Sequence, residues 1–408
     1  MSTGSLTIVD GGHSWTFGDS AAALRATIAV TSPALYRRVA TGGALGAAEA
    51  YLRGEWIADD LVAALRVFAA NLVAADALDG WPATLGRWRA RVAHALRVNT
   101  RAGSRRNIRD HYDLGNDLFA LFLDDTMTYS CGIFERPDST LEQASVAKIH
   151  RACRKLDLRP GDRLLEIGTG WGALAIHAAR QYGCHVTTTT ISQAQHDVAA
   201  RRIAESGAAH RITLLQQDYR DLTGTFDKLL SIEMIEAVGF ARLESFFGAC
   251  AARLAPHGQM LLQGIVMPEH RYAAYVRSAD FIQRYVFPGN ALPSVGAMTG
   301  ALGRATDFRI AHLEDLSPHY AMTLRRWRER FMGRLADVRR LGYDDRFIRL
   351  WEYYLSYCEA AFTERCTGVV QVLLTRPACR IDAVGAGAQV RTAAGDDRRS
   401  RAAGALAS

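Results

Sequence analysis

The chain has 408 residues, 49% of them apolar and 22% charged, with a formal net charge of +7. This length accommodates more than one core, and no unbroken apolar run is long enough to span a bilayer. Seven cysteines lie far apart without a C-x-x-C pair, which argues against a disulfide framework or a zinc site and fits a reducing cytoplasm.

In chain order, Leu6–Val9 and Ser14–Phe17 flank Asp10-Gly11-Gly12, a hairpin signal. Helical periodicity follows over Pro33–Tyr51 and Asp60–Leu78. Residues 1–85 therefore read as a small α+β unit. Residues 86–110 form an arginine-rich linker, from Arg87 to Arg109, in which Trp88, Val92 and Leu96 recur every fourth position. That pattern predicts a short basic amphipathic helix facing an anionic membrane, where each cation contributes roughly 1 kcal/mol. No RNP-like aromatic motif or zinc finger accompanies the charge, so nucleic acid is not an expected partner.

A helix from Leu141 to Asp157 leads into the turn Pro160-Gly161-Asp162. Strands are expected over Arg163–Ile167, His185–Ile191, Ile212–Gln216, Lys228–Ile232 and Met260–Val266. Helices are expected between them over Gly172–Gln181, Gln193–Glu205 and Ala241–Leu254. The alternation predicts an α/β unit with a doubly wound, mostly parallel sheet. After Met267 a long helical insertion carries many aromatics and arginines, and Val369–Leu374 returns as an edge strand. This main unit covers 111–380. The Ala/Gly/Arg/Ser-rich tail, 381–408, is expected to be disordered.

The segment Leu164-Leu165-Glu166-Ile167-Gly168-Thr169-Gly170-Trp171-Gly172 reads as a strand, a glycine-rich turn and a helix N-terminus. Glycines there let a ligand lie against the main chain. No Gly-Lys-Ser/Thr follows, and the spacing misses G-x-G-x-x-G, so neither a phosphate loop nor a dinucleotide fingerprint is present. A carboxylate, Glu166, beside a bare glycine turn suits a ligand with an ammonium group and a ribose, such as S-adenosylmethionine. A tight βα turn without a ligand has the same pattern.

Further blocks are more specific. They are His111-Tyr112-Asp113-Leu114-Gly115-Asn116-Asp117, Thr126-Met127-Thr128-Tyr129-Ser130-Cys131 and Glu233-Met234-Ile235-Glu236-Ala237-Val238-Gly239. Phe281-Ile282-Gln283-Arg284-Tyr285-Val286-Phe287-Pro288-Gly289 and Pro318-His319-Tyr320-Ala321-Met322-Thr323-Leu324 follow. In this order they resemble the cyclopropane-fatty-acyl-phospholipid synthases over residues 105–375. The resemblance implies a Rossmann-like class I S-adenosylmethionine-dependent methyltransferase with a helical lid. The first 85 residues resemble, more weakly, the small N-terminal domain of longer members, around Tyr51-Leu52-Arg53-Gly54-Glu55-Trp56.

The resemblance also implies site residues. Tyr129 and Ser130 would close over S-adenosylmethionine, with Glu166, Gly168, Gly170 and Gly172 under its methionine and ribose. Thr190, Ser192 and Gln195 would reach the ribose, and Asp218 and Tyr219 the adenine. A bicarbonate, acting as base, would be held by Cys131 and Ile265 through their backbones and by Glu236, Gln263 and Tyr320. Gln263 stands where many members carry histidine, which leaves open a methylene or methyl branch in place of a ring. Cys358 matches a cysteine proposed as catalytic, but a small core residue is the favoured reading. Glu233 is expected to share a helical face with Glu236, as a positioning partner or a surface residue. His111 and Asp113 lack a second cluster that would complete a metal site.

The function so implied is methylene transfer from S-adenosylmethionine to the cis double bond of phospholipid acyl chains, through a carbocation. The alternatives are a fatty-acid C-methyltransferase and a small-molecule N-methyltransferase. Membrane phospholipid is the expected partner, the inner membrane face the expected location, and a homodimer is compatible with the resemblance.

Overall fold

The computed structural model describes residues 1–71 and 115–380. The arginine-rich linker, the end of the helix expected to reach Leu78, His111, Asp113 and the tail lie outside the described residues.

Near the N-terminus, β1 (Ser5–Asp10) and β2 (His13–Gly18) pair as the expected hairpin. Two further strands join them. β3 (Arg25–Val30) runs parallel to β1 and β4 (Trp56–Ala58) antiparallel to β3, giving the order β2-β1-β3-β4. The helix Ala34–Leu52 is broken at Gly43, whose φ of 55° and ψ of −137° leave the helical region. The helix Leu61–Ala70 starts on Asp60, which accepts from the Ala63 N–H. This unit is fastened to the helix Asp345–Thr363. Tyr51 Oη donates to Glu352 Oε2 (2.8 Å), and Arg66 Nε pairs with Glu364 Oε1 (2.7 Å) just beyond the helix. One apolar cluster runs from Leu6, Ile28 and Trp56 to Phe119, Trp327 and Trp351.

The main sheet has seven strands: β5 (Arg163–Ile167), β6 (His185–Thr189), β7 (Ile212–Leu215), β8 (Phe226–Ile232), β9 (Leu254–Val266), β10 (Arg309–Asp315) and β11 (Gly368–Thr375). Their order is β10-β11-β9-β8-β5-β6-β7, with β5 to β9 mutually parallel, β11 antiparallel to β9, and β10 antiparallel to β11. The expected edge strand Val369–Leu374 is therefore internal: β11 lies between β9 and β10. β10 is not among the expected strands: it is exposed at six of its seven residues, and its apolar Ile310, Ala311 and Leu313 do not alternate with polar ones. Such a charged edge also discourages pairing with another chain. It interrupts what reads from sequence as one helical insertion.

The strand order turns back between β5 and β8, both hydrogen-bonded neighbours in the centre of the sheet. A crevice outside the carboxyl ends of the strands at such a switch point is where open α/β sheets bind ligands. The helix Leu141–Lys155, started by a Thr140–Gln143 capping box, packs beside this region. The helices Ser317–Met332 and Asp345–Thr363 cover it with a cluster of buried aromatic side chains.

Candidate active site

The glycine turn leaves β5 with Gly168 at φ +104° and Gly172 at φ +89°, both in the region that favours glycine. A Cβ at Gly168 would meet only the Met234 side chain, 3.6 Å away, so backbone conformation rather than space selects glycine there. Glu166, 3% exposed, accepts from Thr188 Oγ1 (2.6 Å), and the Thr169 and Thr188 hydroxyls meet at 2.7 Å. Burial pushes the Glu166 carboxyl up to about 8, against the pull of Thr188 and Lys148. A cationic amino group at this carboxylate would restore its charge.

Gln195 offers its carbonyl to Thr190 Oγ1 (3.0 Å), and Ser192 caps the helix Gln193–Glu205 by accepting from the Gln195 N–H. Asp218 is committed to its own turn. It accepts from the Arg220 backbone N–H and from Nε (2.7 Å) and Nη2 (2.5 Å) of the same residue. Its expected use as an adenine acceptor therefore competes with a guanidinium. Tyr219 packs on Phe246 with ring centroids 5.4 Å apart. Tyr129 shares a hydrogen bond with Tyr354 (2.8 Å), and Ser130 accepts from the buried Lys148 Nζ (2.9 Å). All of these cofactor-site residues except Gly172 and Ser192 line one cavity. A carboxylate for an ammonium group, a bare backbone turn and a flat aromatic wall fit S-adenosylmethionine.

The groups expected to hold bicarbonate hold two carboxylates of the chain itself. Glu233 Oε1 accepts from the Cys131 N–H (2.9 Å) and from Gln263 Nε2 (2.7 Å), while Glu233 Oε2 accepts from Tyr320 Oη (2.6 Å). Glu236 Oε1 accepts from the Ile265 N–H (2.5 Å). Each expected donor is thus engaged, and a further anion would meet two carboxylates. A separate bicarbonate does not fit this set.

Glu233 therefore has neither of its expected roles. It does not share a helical face with Glu236, because the short 3-10 turn begins only at Ile235. It stands just past β8 in a left-handed backbone conformation, φ 50°, which a residue with a Cβ adopts at a cost. Such strain concentrates at functional positions. A sequence signal existed: an acidic residue directly following a buried parallel strand sits where ligand-facing residues collect.

Burial drives both carboxyls upward. Glu236 is pushed to about 8, with the Glu233 charge adding to the effect, and its buried Oε2 has no partner among the described residues. Glu233 is also raised by burial, but Tyr320, Cys131 and Gln263 oppose the rise by hydrogen-bonding its charged form. Three donors meet Glu233 and one meets Glu236, so a negative charge on the pair is better held by Glu233. Gln371, which no sequence motif marks, orients Gln263 by donating to its Oε1 (2.9 Å). Cys358 lines the same cavity, yet burial pushes its thiol far up, away from thiolate chemistry.

The cavity measures 1670 Å³. It runs from the glycine turn past Glu233 and Glu236, along Tyr320, Phe287 and Tyr354, to Ile8, Ile28, Trp56, Leu65 and Phe68 of the N-terminal unit. Among the described residues, no cluster of three or more metal-ligating side chains occurs, and no helix is long and apolar enough to cross a membrane.

Comparison with known proteins places the chain in a family. Residues 99–372 match the family model of mycolic acid cyclopropane synthetase. The tuberculostearic acid methyltransferase UfaA1 of Mycobacterium tuberculosis is 41% identical over 84% of this chain and 81% of its own length. The cyclopropane-fatty-acyl-phospholipid synthase of Escherichia coli is 35% identical over 86% of this chain and 88% of its own. The mycolic acid cyclopropane synthase CmaA1, solved in complex with SAH and CTAB, superposes with a TM-score of 0.62 at 31% identity, covering 66% of this chain and 98% of that one. The chain belongs to the mycolic acid cyclopropane synthetase family and is an S-adenosylmethionine-dependent methyltransferase of the class I fold.

Proposed function

We propose that the protein C-methylates the double bond of an unsaturated phospholipid acyl chain, and that the Glu233–Glu236 pair receives the proton lost from the product. One observation carries this reading: a single cavity joins the glycine turn, the carboxylate pair and an apolar path into the N-terminal unit. When bound, S-adenosylmethionine supplies an electrophilic methyl group. The alkene electron pair would take that methyl as the S–CH₃ bond breaks and S-adenosylhomocysteine leaves, which would place a cation on the neighbouring chain carbon. Tyr320, Tyr354 and Phe287 surround this region with electron-rich faces. The Glu233 carboxylate then removes a proton from the added carbon.

Two products follow from the same proton loss. If the C–H electron pair closes onto the adjacent cation, a cyclopropane forms. If a hydride first shifts along the chain, the pair forms an exocyclic double bond. We favour the methylene branch, supported by the 41% identical tuberculostearic acid methyltransferase and by the tethered carboxylate and Gln263 in this site. Ring closure is the second reading, supported by the 35% identical cyclopropane-fatty-acyl-phospholipid synthase.

Action at the cytoplasmic membrane face belongs to the same proposal. Moving an acyl chain into water costs about 0.8 kcal/mol per CH₂, so the cavity has to open onto the bilayer. Trp15 and Phe17, 47% and 49% exposed on β2, suit an interfacial contact. The test is incubation with methyl-labelled S-adenosylmethionine and monounsaturated phospholipid vesicles. Label in the lipid is expected, and ozonolysis then cleaves a methylene branch but spares a ring. Unlabelled lipid at full cofactor occupancy rules the reading out.

A further inference from the structure

Behind Glu233 a row of polar side chains crosses an otherwise apolar interior. Lys155 Nζ donates to Gln371 Oε1 (2.7 Å), Gln371 Nε2 to Gln263 Oε1 (2.9 Å), and Gln263 Nε2 to Glu233 Oε1 (2.7 Å). Gln371 on β11 and Gln263 on β9 are register partners, and both are 0% exposed. Lys155 ends the helix Leu141–Lys155 and is itself held by Glu314 on β10, which also accepts from Arg151.

The two ends dictate the direction of the row. An ammonium can only donate, and a carboxylate can only accept. Between them each amide has one orientation that satisfies both neighbours. Turning Gln263 over would set its carbonyl against the Glu233 carboxylate. In the dry interior such a mismatch is not compensated by water.

We propose that Gln371 and Lys155 are positioning residues for the methyl transfer: they fix the Gln263 amide so that its N–H, and not its carbonyl, meets Glu233. The proposal rests on the reading of Glu233 as proton acceptor. It assigns a catalytic consequence to groups that touch neither cofactor nor acyl chain. The other charged or titratable groups facing Glu233 are Glu236, Cys131, Lys148, Tyr320 and Tyr354. Those facing Lys155 are Glu314, Arg151 and His312. None of them reaches Gln263 by a hydrogen bond among the described residues.

Gln371→Glu is the informative variant. It keeps the shape and still accepts from Lys155, but it also accepts from Gln263, whose carbonyl then turns to Glu233. With monounsaturated phospholipid vesicles, kcat should fall about 10- to 100-fold, the value of a hydrogen bond to a charged group. The KM for S-adenosylmethionine should stay within about twofold, since removing a donor from Glu233 leaves the glycine turn untouched. The acid limb of the pH–kcat profile should move up, because Glu233 loses a donor that favours its charged form. Lys155→Met, which removes the donor-only end, should lie between the variant and the native enzyme, and serves if Gln371→Glu fails to fold. Side-chain amide ¹⁵N spectra give a readout without turnover: slowly exchanging Gln263 and Gln371 amide protons are expected in the native protein and altered Gln263 signals in both variants. A folded variant with native kcat and a native acid limb overturns the proposal, as do unchanged Gln263 amide signals. Absence of lipid methylation in the native enzyme overturns the functional reading instead, while the amide spectra still judge the row.

Discussion

Replacing Glu233 by two different residues separates a built-in base from a borrowed one. Glu233→Gln keeps the side chain's shape but removes its charge. Three donors converge on Glu233 at 2.9, 2.7 and 2.6 Å. A glutamine carbonyl serves at most two of them, and with its NH₂ toward Tyr320 the hydroxyl can turn to accept but its own proton loses this acceptor. The mismatch should cost about 1–3 kcal/mol of stability. Loss of the proton acceptor should lower kcat by roughly 10²- to 10⁴-fold, the usual worth of general acid–base catalysis. Glu233→Gly relieves the left-handed backbone at φ 50° and leaves the same three donors free around an empty carboxylate position. Added bicarbonate or acetate should restore activity in that variant, saturably, and should do nothing for Glu233→Gln. The assay is label transfer from S-adenosylmethionine to monounsaturated phospholipid, with S-adenosylhomocysteine binding measured in parallel by calorimetry. Native-like kcat in Glu233→Gln, or a bicarbonate requirement in the unaltered enzyme, refutes the reasoning.

Other outcomes follow from the same geometry. Tyr320→Phe removes the donor to Glu233 Oε2 and should reduce kcat about 10- to 100-fold with cofactor affinity retained, read by the same pair of assays. Glu166 and Glu236 are held near 8 in the folded chain against an ordinary 4.5. The folded state therefore binds more protons than the unfolded one between those values, so their contribution is fullest below about pH 4.5 and is lost toward pH 8. The melting temperature should fall across that window, and Glu236→Gln should flatten the fall in calorimetric scans. Cys358→Ser should keep kcat within about threefold, because a thiol pushed far up by burial supplies no nucleophile. Ala47→Phe, which fills the cavity's N-terminal reach, should depress turnover of long acyl chains while leaving S-adenosylhomocysteine binding intact.

Local signals made much of this molecule legible beforehand. The apolar run ending in Glu166 and the glycine turn specified a strand, a turn and a helix start, because backbone freedom and strand periodicity are properties of neighbouring residues. The same holds for the β1–β2 hairpin and for the five parallel strands, whose expected and observed bounds differ mainly at the ends of β6, β8 and β9. β10 was not legible, since Ile310, Ala311 and Leu313 fall among charged and polar residues without a period-two alternation. Once it occupied the edge, β11 was necessarily internal.

The sequence by itself determined the class of fold and the strand, glycine turn and helix start around Glu166, which depend on short-range pattern, while the residues of the reacting centre came only as what the family resemblance implies. Only the tertiary structure decided what those residues touch. Cys131, Gln263 and Tyr320 come from a loop, a strand and a helix far apart in the chain, and they meet on Glu233 rather than on a free anion. Gln371 and Lys155 are likewise unremarkable in the sequence and become a polar row only when β9, β11 and a helix are packed together. Hydrogen-bond partnership is a matter of a few tenths of an ångström in space, and no spacing along the chain encodes it.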